Sequence, residues 1–152
     1  MLANRTIYVA TDHAGFAHKE AVRDWLLAEG CTVIDVGAPL YDADDDFPDY
    51  ISLAGKAVSQ NPETVAAIIF GGSGQGEAMV ANRFPGVRAT VYYGGDESII
   101  KLSREHNDAN VLSIGARFVS VDHTKKVIWD WLHFDKGSDP KYHRRNVKID
   151  AR

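Results

Sequence analysis

The sequence holds a single cysteine, Cys31, in 152 residues, so no disulfide can form within the chain. Its apolar neighbours in CTVIDVG predict burial as a small hydrophobe. There is no long basic stripe before the C-terminus. With 17 Lys and Arg against 21 Asp and Glu, the net charge is -4, and nucleic acid is a poor fit as partner. Long apolar runs are also missing, and the one nearest the N-terminus breaks at Asp12 and His13. Neither a secretory leader nor a membrane span is expected, and the expected location is the cytoplasm. No internal repeat or low-complexity linker divides the chain. A 45% hydrophobic content over this length suffices for one sizeable core, so a single domain over 1–152 is expected.

Short apolar runs recur at 6–11 (TIYVAT), 31–37 (CTVIDVG), 65–72 (VAAIIFGG), 87–93 (VRATVYY) and 110–117 (NVLSIGAR). Bounded by glycine and polar residues, they predict five buried strands. Between them lie helical stripes, such as Val22, Trp25 and Leu26, or Val127, Ile128, Trp131 and Leu132. Each stripe buries one face of a helix. The alternation predicts an α/β fold with a parallel sheet covered on both sides. Ligands of such sheets bind at the carboxyl ends of the strands, which directs attention to Asp12 and His13, to Gly71–Glu77 and to Arg117.

The acidic run 42–49 (DADDDFPD) alternates Asp42, Asp44 and Asp46 as a calcium loop does. Its sixth position is Phe47 rather than glycine and its twelfth is Leu53 rather than glutamate, so the EF-hand pattern fails. A solvated loop leading into a helix near Pro48 is the expectation. His18, His123 and His133 show no metal-like spacing and are read as surface or packing residues, and no metal is expected.

The segment GGSGQGE, Gly71 to Glu77, lies between the third strand and a helical stretch. Four glycines in six residues allow a sharp turn and close approach to a ligand. The N–H groups opening the next helix have no partner within it and suit an anion or a developing oxyanion. The segment lacks the lysine ending of a P-loop, and it follows the third strand instead of the first, so neither common nucleotide motif applies. A tight turn without a ligand is the plainer reading. Glu77 stands in the first turn of that helix, where a carboxylate is favoured by the helix dipole and is also placed to act as a base. Isomerising an aldose needs a base that moves the C2 proton to C1 beside donors that hold the enediolate oxygens.

Asp12 reads both as a helix N-cap and, with His13, as a contact for sugar hydroxyls or phosphate. His106, near the end of the fourth helix, is followed by Asn107, Asp108 and Asn110. These bring more hydrogen-bonding capacity than a helix stop needs. An imidazole titrating near neutrality is suited to opening a cyclic sugar. Arg117 and the tail 141–148 (KYHRRNVK) supply cations that match phosphate oxygens, though a solvated helix face explains the tail as well.

TDHAGF, the glycine loop ending in GE with ANR beyond it, SREHNDANVLSIGAR, and a terminal basic segment with His143 occur in this order along the whole chain. They resemble the ribose-5-phosphate isomerase B family, which also takes in galactose-6-phosphate and allose-6-phosphate isomerases. The resemblance implies a three-layer α/β/α sandwich on a five-stranded parallel Rossmann-like sheet. It also implies a homodimer or homotetramer with active sites at subunit interfaces, the segment from about 138 to 152 lying on a partner subunit, and an enediol mechanism with no metal or cofactor. Carried onto this chain, it makes Glu77, Ser73 and His106 the catalytic residues, with Glu77 as the base and His106 opening the ring. Asp12 and Asn107 would hold sugar oxygens, while Gly72, Gly74, Gln75 and Gly76 would form the anion hole. His13, Arg117 and a neighbour's Lys141, His143 and Arg145 would bind phosphate.

Two positions depart from the family pattern. One branch places a cysteine base just before the loop, where this chain has Gly71, and the likeness is to the branch that uses the loop glutamate. The tail arginines found immediately before the histidine and three residues after it are here Tyr142 and Asn146. A slip of one residue would bring Lys141 and Arg145 to the same mutual spacing. The expected activity is the interconversion of ribose 5-phosphate and ribulose 5-phosphate. The alternatives are another sugar substrate (allose 6-phosphate, galactose 6-phosphate or a free aldose) or a sugar-phosphate binding module without catalysis.

Overall fold

Strands that must be buried on both faces need apolar residues at successive positions, and β3 (Val65–Gly71) has them: Ala66, Ile68 and Phe70 face one core, while Ala67 and Ile69 face another. The structure, a computed structural model, describes residues 5–152; residues 1–4 of the expected single domain lie outside the described residues. The other strands are β1 (Thr6–Thr11), β2 (Thr32–Asp35), β4 (Ala89–Tyr92) and β5 (Val111–Gly115). All pairs are parallel, in the order β2-β1-β3-β5-β4. β1 has the predicted bounds, and the other four strands lie within their predicted runs with narrower ones.

The helices α1 (Phe16–Ala28), α4 (Ser98–Glu105) and α5 (Val121–His133) bring Val22, Leu26, Ile100, Val127, Ile128 and Trp131 to the first core. The opposite face is covered by α2 (Phe47–Gln60) and α3 (Gln75–Ala81), through Ile51, Ala54, Val58 and Ala81. This is the expected three-layer α/β/α sandwich. Each fully buried Ile or Phe contributes ~1.5–3 kcal/mol through removal from water. Cys31 is buried as expected. No helix among the described residues is long and apolar enough to cross a membrane.

A sixth helix, α6 (Pro140–Asp150), is capped by Asp139, whose side chain accepts from the Lys141 N–H, and carries Pro140 in its first turn. It packs on its own chain beside the end of α4, where Asn146 donates to the His106 carbonyl over 3.2 Å. Val147 and Ile149 remain about half exposed on it.

Candidate active site

At the carboxyl edge of the sheet, β3 ends on Gly71 and the chain turns through Gly74, in the left-handed region at φ 78°. Glu77 follows in the first turn of α3, 5% exposed. Its carboxyl lies against Gly71 so closely that a methyl group there would overlap its Cδ, Oε1 and Oε2 atoms. Burial is the main influence on this carboxyl and raises its pKa above the usual glutamate value. Its own N–H, donating to it, pulls the other way, and the nearby Asp12 raises it further. A carboxylate that is desolvated yet held by a main-chain donor is a stronger base than one in water.

Beside it, β1 delivers Asp12 and His13. Asp12 is buried, and its Oδ1 accepts from the Ala14 N–H over 2.9 Å as the cap of a 3-10 turn. Next to it the His13 imidazole is fixed by Asp45, whose Oδ1 accepts from the His13 N–H at 3.0 Å and lies 2.7 Å from Nδ1. The Asp45 bond is the largest influence raising the His13 pKa; burial and Arg117 oppose it, and Asp12 adds to the increase. The raised pKa widens the pH range over which the ring carries the positive charge that suits phosphate oxygens. Asp12, His13 and Asp45 are also the one group of three potential metal ligands within 4.8 Å among the described residues. The 2.7 Å Nδ1–Oδ1 separation is that of a hydrogen bond with the proton between them.

The loop is locked from behind. Ser113 Oγ, fully buried, donates to the Gly74 carbonyl over 2.7 Å, and the N–H groups of Ala116 and Arg117 donate to Gly71 and Gly72. Arg117 places its guanidinium over Gly72, 3.0 Å from where a Cβ would stand. Ser73 and Gln75 are exposed, with the Gln75 N–H reaching Ser73 Oγ at 3.4 Å. Glu77, Asp12, His13, Gly72–Gly76 and Arg117 therefore gather at one edge.

His106, Asn107 and the tail do not join them. A helix between parallel strands runs back along the sheet, so α4 ends at the amino edge, where the Asn110 N–H bonds the carbonyl of Arg88 just ahead of β4. From Val111 to Gly115, β5 then spans about 13 Å to the carboxyl edge at ~3.3 Å per residue. At the amino edge His106 is half-buried and stacked on Tyr142, with ring centroids 4.3 Å apart and 26° between planes. Asn107 opens with Arg145 onto a cleft of about 680 Å³ that Arg88, Lys148 and Arg152 also line. Lys141 is turned elsewhere, 2.7 Å from Asp139 and over the Tyr142 ring. Of the two residues that a one-residue slip of the tail would supply, only Arg145 lines this cleft. His143 borders a smaller neighbouring cavity with Asn146. The candidate residues thus fall into two groups at opposite edges of the sheet.

The family model for Ribose/Galactose Isomerase matches residues 7–149. The chain belongs to the Ribose/Galactose Isomerase family. Among relatives of this family, the probable ribose-5-phosphate isomerase B of Mycoplasma genitalium is 34% identical over 94% of this chain and 92% of its own. The ribose-5-phosphate isomerase B of Mycobacterium tuberculosis is 32% identical over 97% and 89%. Among solved structures, ribose-5-phosphate isomerase B from Mycoplasma genitalium with bound ribulose-5-phosphate superposes with a TM-score of 0.90 at 32% identity, over 96% of this chain and 94% of that one. The Clostridium thermocellum ribose-5-phosphate isomerase B gives 0.87 at 32% identity, over 96% and 95%.

Sequence reasoning missed Asp45 in this family member. The acidic run reads as a solvated loop, and Asp42 and Asp44 are indeed exposed, but the Asp45 side chain is only 5% exposed. The physical reason is the path of the chain after β2. Buried Lys19 bonds both Asp35 oxygens, at 2.7 and 2.9 Å, and the Ala38 carbonyl at 2.8 Å. Gly37 and Ala38 then exchange hydrogen bonds with Thr11, which brings the loop back over His13. Ser113 was likewise read only as part of a strand. Its sole signal is a polar residue inside a strand buried on both faces, which must find a partner.

Proposed function

We propose that this chain is an aldose–ketose isomerase that interconverts ribose 5-phosphate and ribulose 5-phosphate, with each active site formed from the carboxyl edge of one copy and the amino edge of another. The observation that carries the reading is the buried Glu77 carboxyl beside the glycine loop, its pKa raised by desolvation. On the open-chain aldose, Glu77 removes the C2 proton. The C–H electron pair forms the C1–C2 double bond, and the carbonyl oxygen becomes an enediolate oxygen held by loop N–H groups. Protonated Glu77 returns the proton to C1, while the O2 hydroxyl proton passes to O1 and leaves the C2 ketone.

His106 supplies the ring opening that precedes this step, and Asn107 holds a sugar oxygen beside it. Both belong to the second copy, because topology keeps them an entire strand length from Glu77 within one chain. His13 and Arg117 from the first copy, with Arg145 and His143 from the second, meet the phosphate. A phosphorylated substrate is favoured by the raised pKa of His13 and by the ribulose-5-phosphate bound in the Mycoplasma genitalium structure.

The test is turnover of ribose 5-phosphate, allose 6-phosphate, free ribose and free allose by the purified protein. A kcat/KM highest for ribose 5-phosphate is expected. Preference for an unphosphorylated aldose would overturn the substrate assignment, and binding of ribose 5-phosphate without exchange of its C2 proton in heavy water would reduce the protein to a binding module.

A further inference from the structure

His106 is held from three directions, and none of the groups holding it belongs to the mechanism above. Its N–H donates to the Leu102 carbonyl at 2.9 Å and closes α4. Its carbonyl accepts from Asn146, which is only 8% exposed. Its imidazole lies on the Tyr142 ring, which the Lys141 ammonium also approaches, 5.0 Å from the centroid. The connector ahead of α6 is drawn in as well: the Gly137 N–H donates to the Glu105 carbonyl at 2.9 Å, and a methyl group on Gly137 would stand 2.9 Å from the Tyr142 ring. Asn146 Oδ1 is buried with no hydrogen-bond partner among the described residues.

An imidazole at a helix C-cap has two free torsions, and the hydrogen bond that closes α4 fixes the His106 backbone but neither of them. A ring stacked at 4.3 Å removes that freedom, because turning χ1 would drive the imidazole out of contact. Near-parallel stacking leaves both ring nitrogens at the edge, available to a ligand, whereas a side-chain hydrogen bond would occupy one of them.

We infer that Tyr142 is a positioning residue for ring opening: through ring stacking, with Asn146 anchoring the backbone below, it holds the His106 imidazole in the orientation that receives the cyclic sugar. The inference rests on the isomerase reading, in which His106 accepts the proton of the anomeric hydroxyl, the bond from C1 to the ring oxygen breaks, and that oxygen gains a proton. The function of Tyr142 belongs to its ring and not its hydroxyl, so phenylalanine substitutes for it and alanine does not.

The chemistry of the two sugars separates this step from the rest. Ribose 5-phosphate is cyclic and must open, but ribulose 5-phosphate has no free C5 hydroxyl with which to close a five-membered ring on its C2 carbonyl. Deuterium wash-in at C1 of ribulose 5-phosphate in heavy water therefore reports on Glu77 alone, and turnover of ribose 5-phosphate reports on ring opening as well. For Tyr142→Ala we expect ribose 5-phosphate kcat to fall about 10–100-fold, the size of loss that misplacement of a reacting group by an ångström produces, with wash-in within about twofold of the parent protein. Tyr142→Phe should restore turnover, and His106→Ala should reproduce the same split.

Equal losses of turnover and wash-in in Tyr142→Ala would mean that the ring merely supports the fold, and unchanged turnover would mean that it does nothing for His106. Either result overturns the inference. Full ribose 5-phosphate turnover by His106→Ala would instead overturn the assignment of ring opening to His106, on which the inference stands.

Discussion

The Glu77 carboxyl occupies the volume that the first side-chain carbon of residue 71 would need, so the absence of a side chain at Gly71 is what permits Glu77 to sit at the end of β3. Gly71→Ala should expel the carboxyl from its place. We expect kcat to fall by ~10² or more, as for loss of a general base, and stability to fall by ~1–3 kcal/mol from overpacking. Steady-state kinetics and thermal melts check both, and a fully active Gly71→Ala protein would show that Glu77 works from elsewhere.

Glu77→Gln removes the base but little of the packing. Turnover should drop by ~10²–10⁴ with the fold intact. Because the folded pKa lies above the ordinary glutamate value, ionising Glu77 in the native state is disfavoured, and the cost to stability grows as pH rises through that range. The glutamine variant should therefore equal or exceed the parent protein in Tm at neutral pH and lose this advantage in acid. In the parent protein the acidic limb of kcat/KM should lie above pH 4.5, the ordinary glutamate value; a limb below it would assign the base to another group.

Asp45→Asn tests the loop contact. The raised His13 pKa means that the His13–Asp45 pair contributes stability fully below the unfolded histidine value of 6.5 and loses it as pH rises through the higher folded value. The Tm difference between Asp45→Asn and the parent protein should be larger at pH 6 than at pH 9. The alkaline decline of kcat/KM for ribose 5-phosphate should also move to lower pH. NMR titration of the His13 ring gives the direct reading, and an unmoved titration would sever the link.

Arg117→Ala should raise KM for ribose 5-phosphate by about 10–100-fold, the equivalent of one charge-assisted hydrogen bond of ~1.5–3 kcal/mol, and leave kcat much closer to normal. The same KM as the parent protein would remove Arg117 from the phosphate site.

The proposed sharing of each site between two copies makes a sharper prediction for the assembly. Glu77→Gln and His106→Ala should each be nearly inactive alone. Mixed after reversible dissociation, they should recover activity, since a two-fold pair of unlike copies contains one site with both side chains intact; random mixing yields about a quarter of the parent sites. No recovery in mixtures shown by mass spectrometry to contain hetero-oligomers would rule out a shared site.

Most of the architecture was legible in the sequence because its causes are local. Apolar runs such as VAAIIFGG must be buried on both faces, and five of them alternating with helical stripes leave few arrangements other than a covered parallel sheet. The carboxyl-edge half of the site followed from the same reasoning, since Asp12, His13, the glycine loop and Arg117 each directly follow a strand. The part that was not legible depends on which distant segments share an edge. Asp45 looks like any residue of a polar loop until Lys19 and the Thr11 hydrogen bonds bend that loop back over His13.

Local pattern is enough to specify the layered sheet, the family and the types of chemical group available, because periodicity, glycine spacing and strand ends act over a few residues. Tertiary structure alone decided that the Glu77 carboxyl takes the place of a side chain at Gly71, that Asp45 holds His13, and that His106 lies a strand length from Glu77 on a tyrosine ring. Each of these is a distance between groups brought together or kept apart by strand order and by the reversal of direction in every crossover helix.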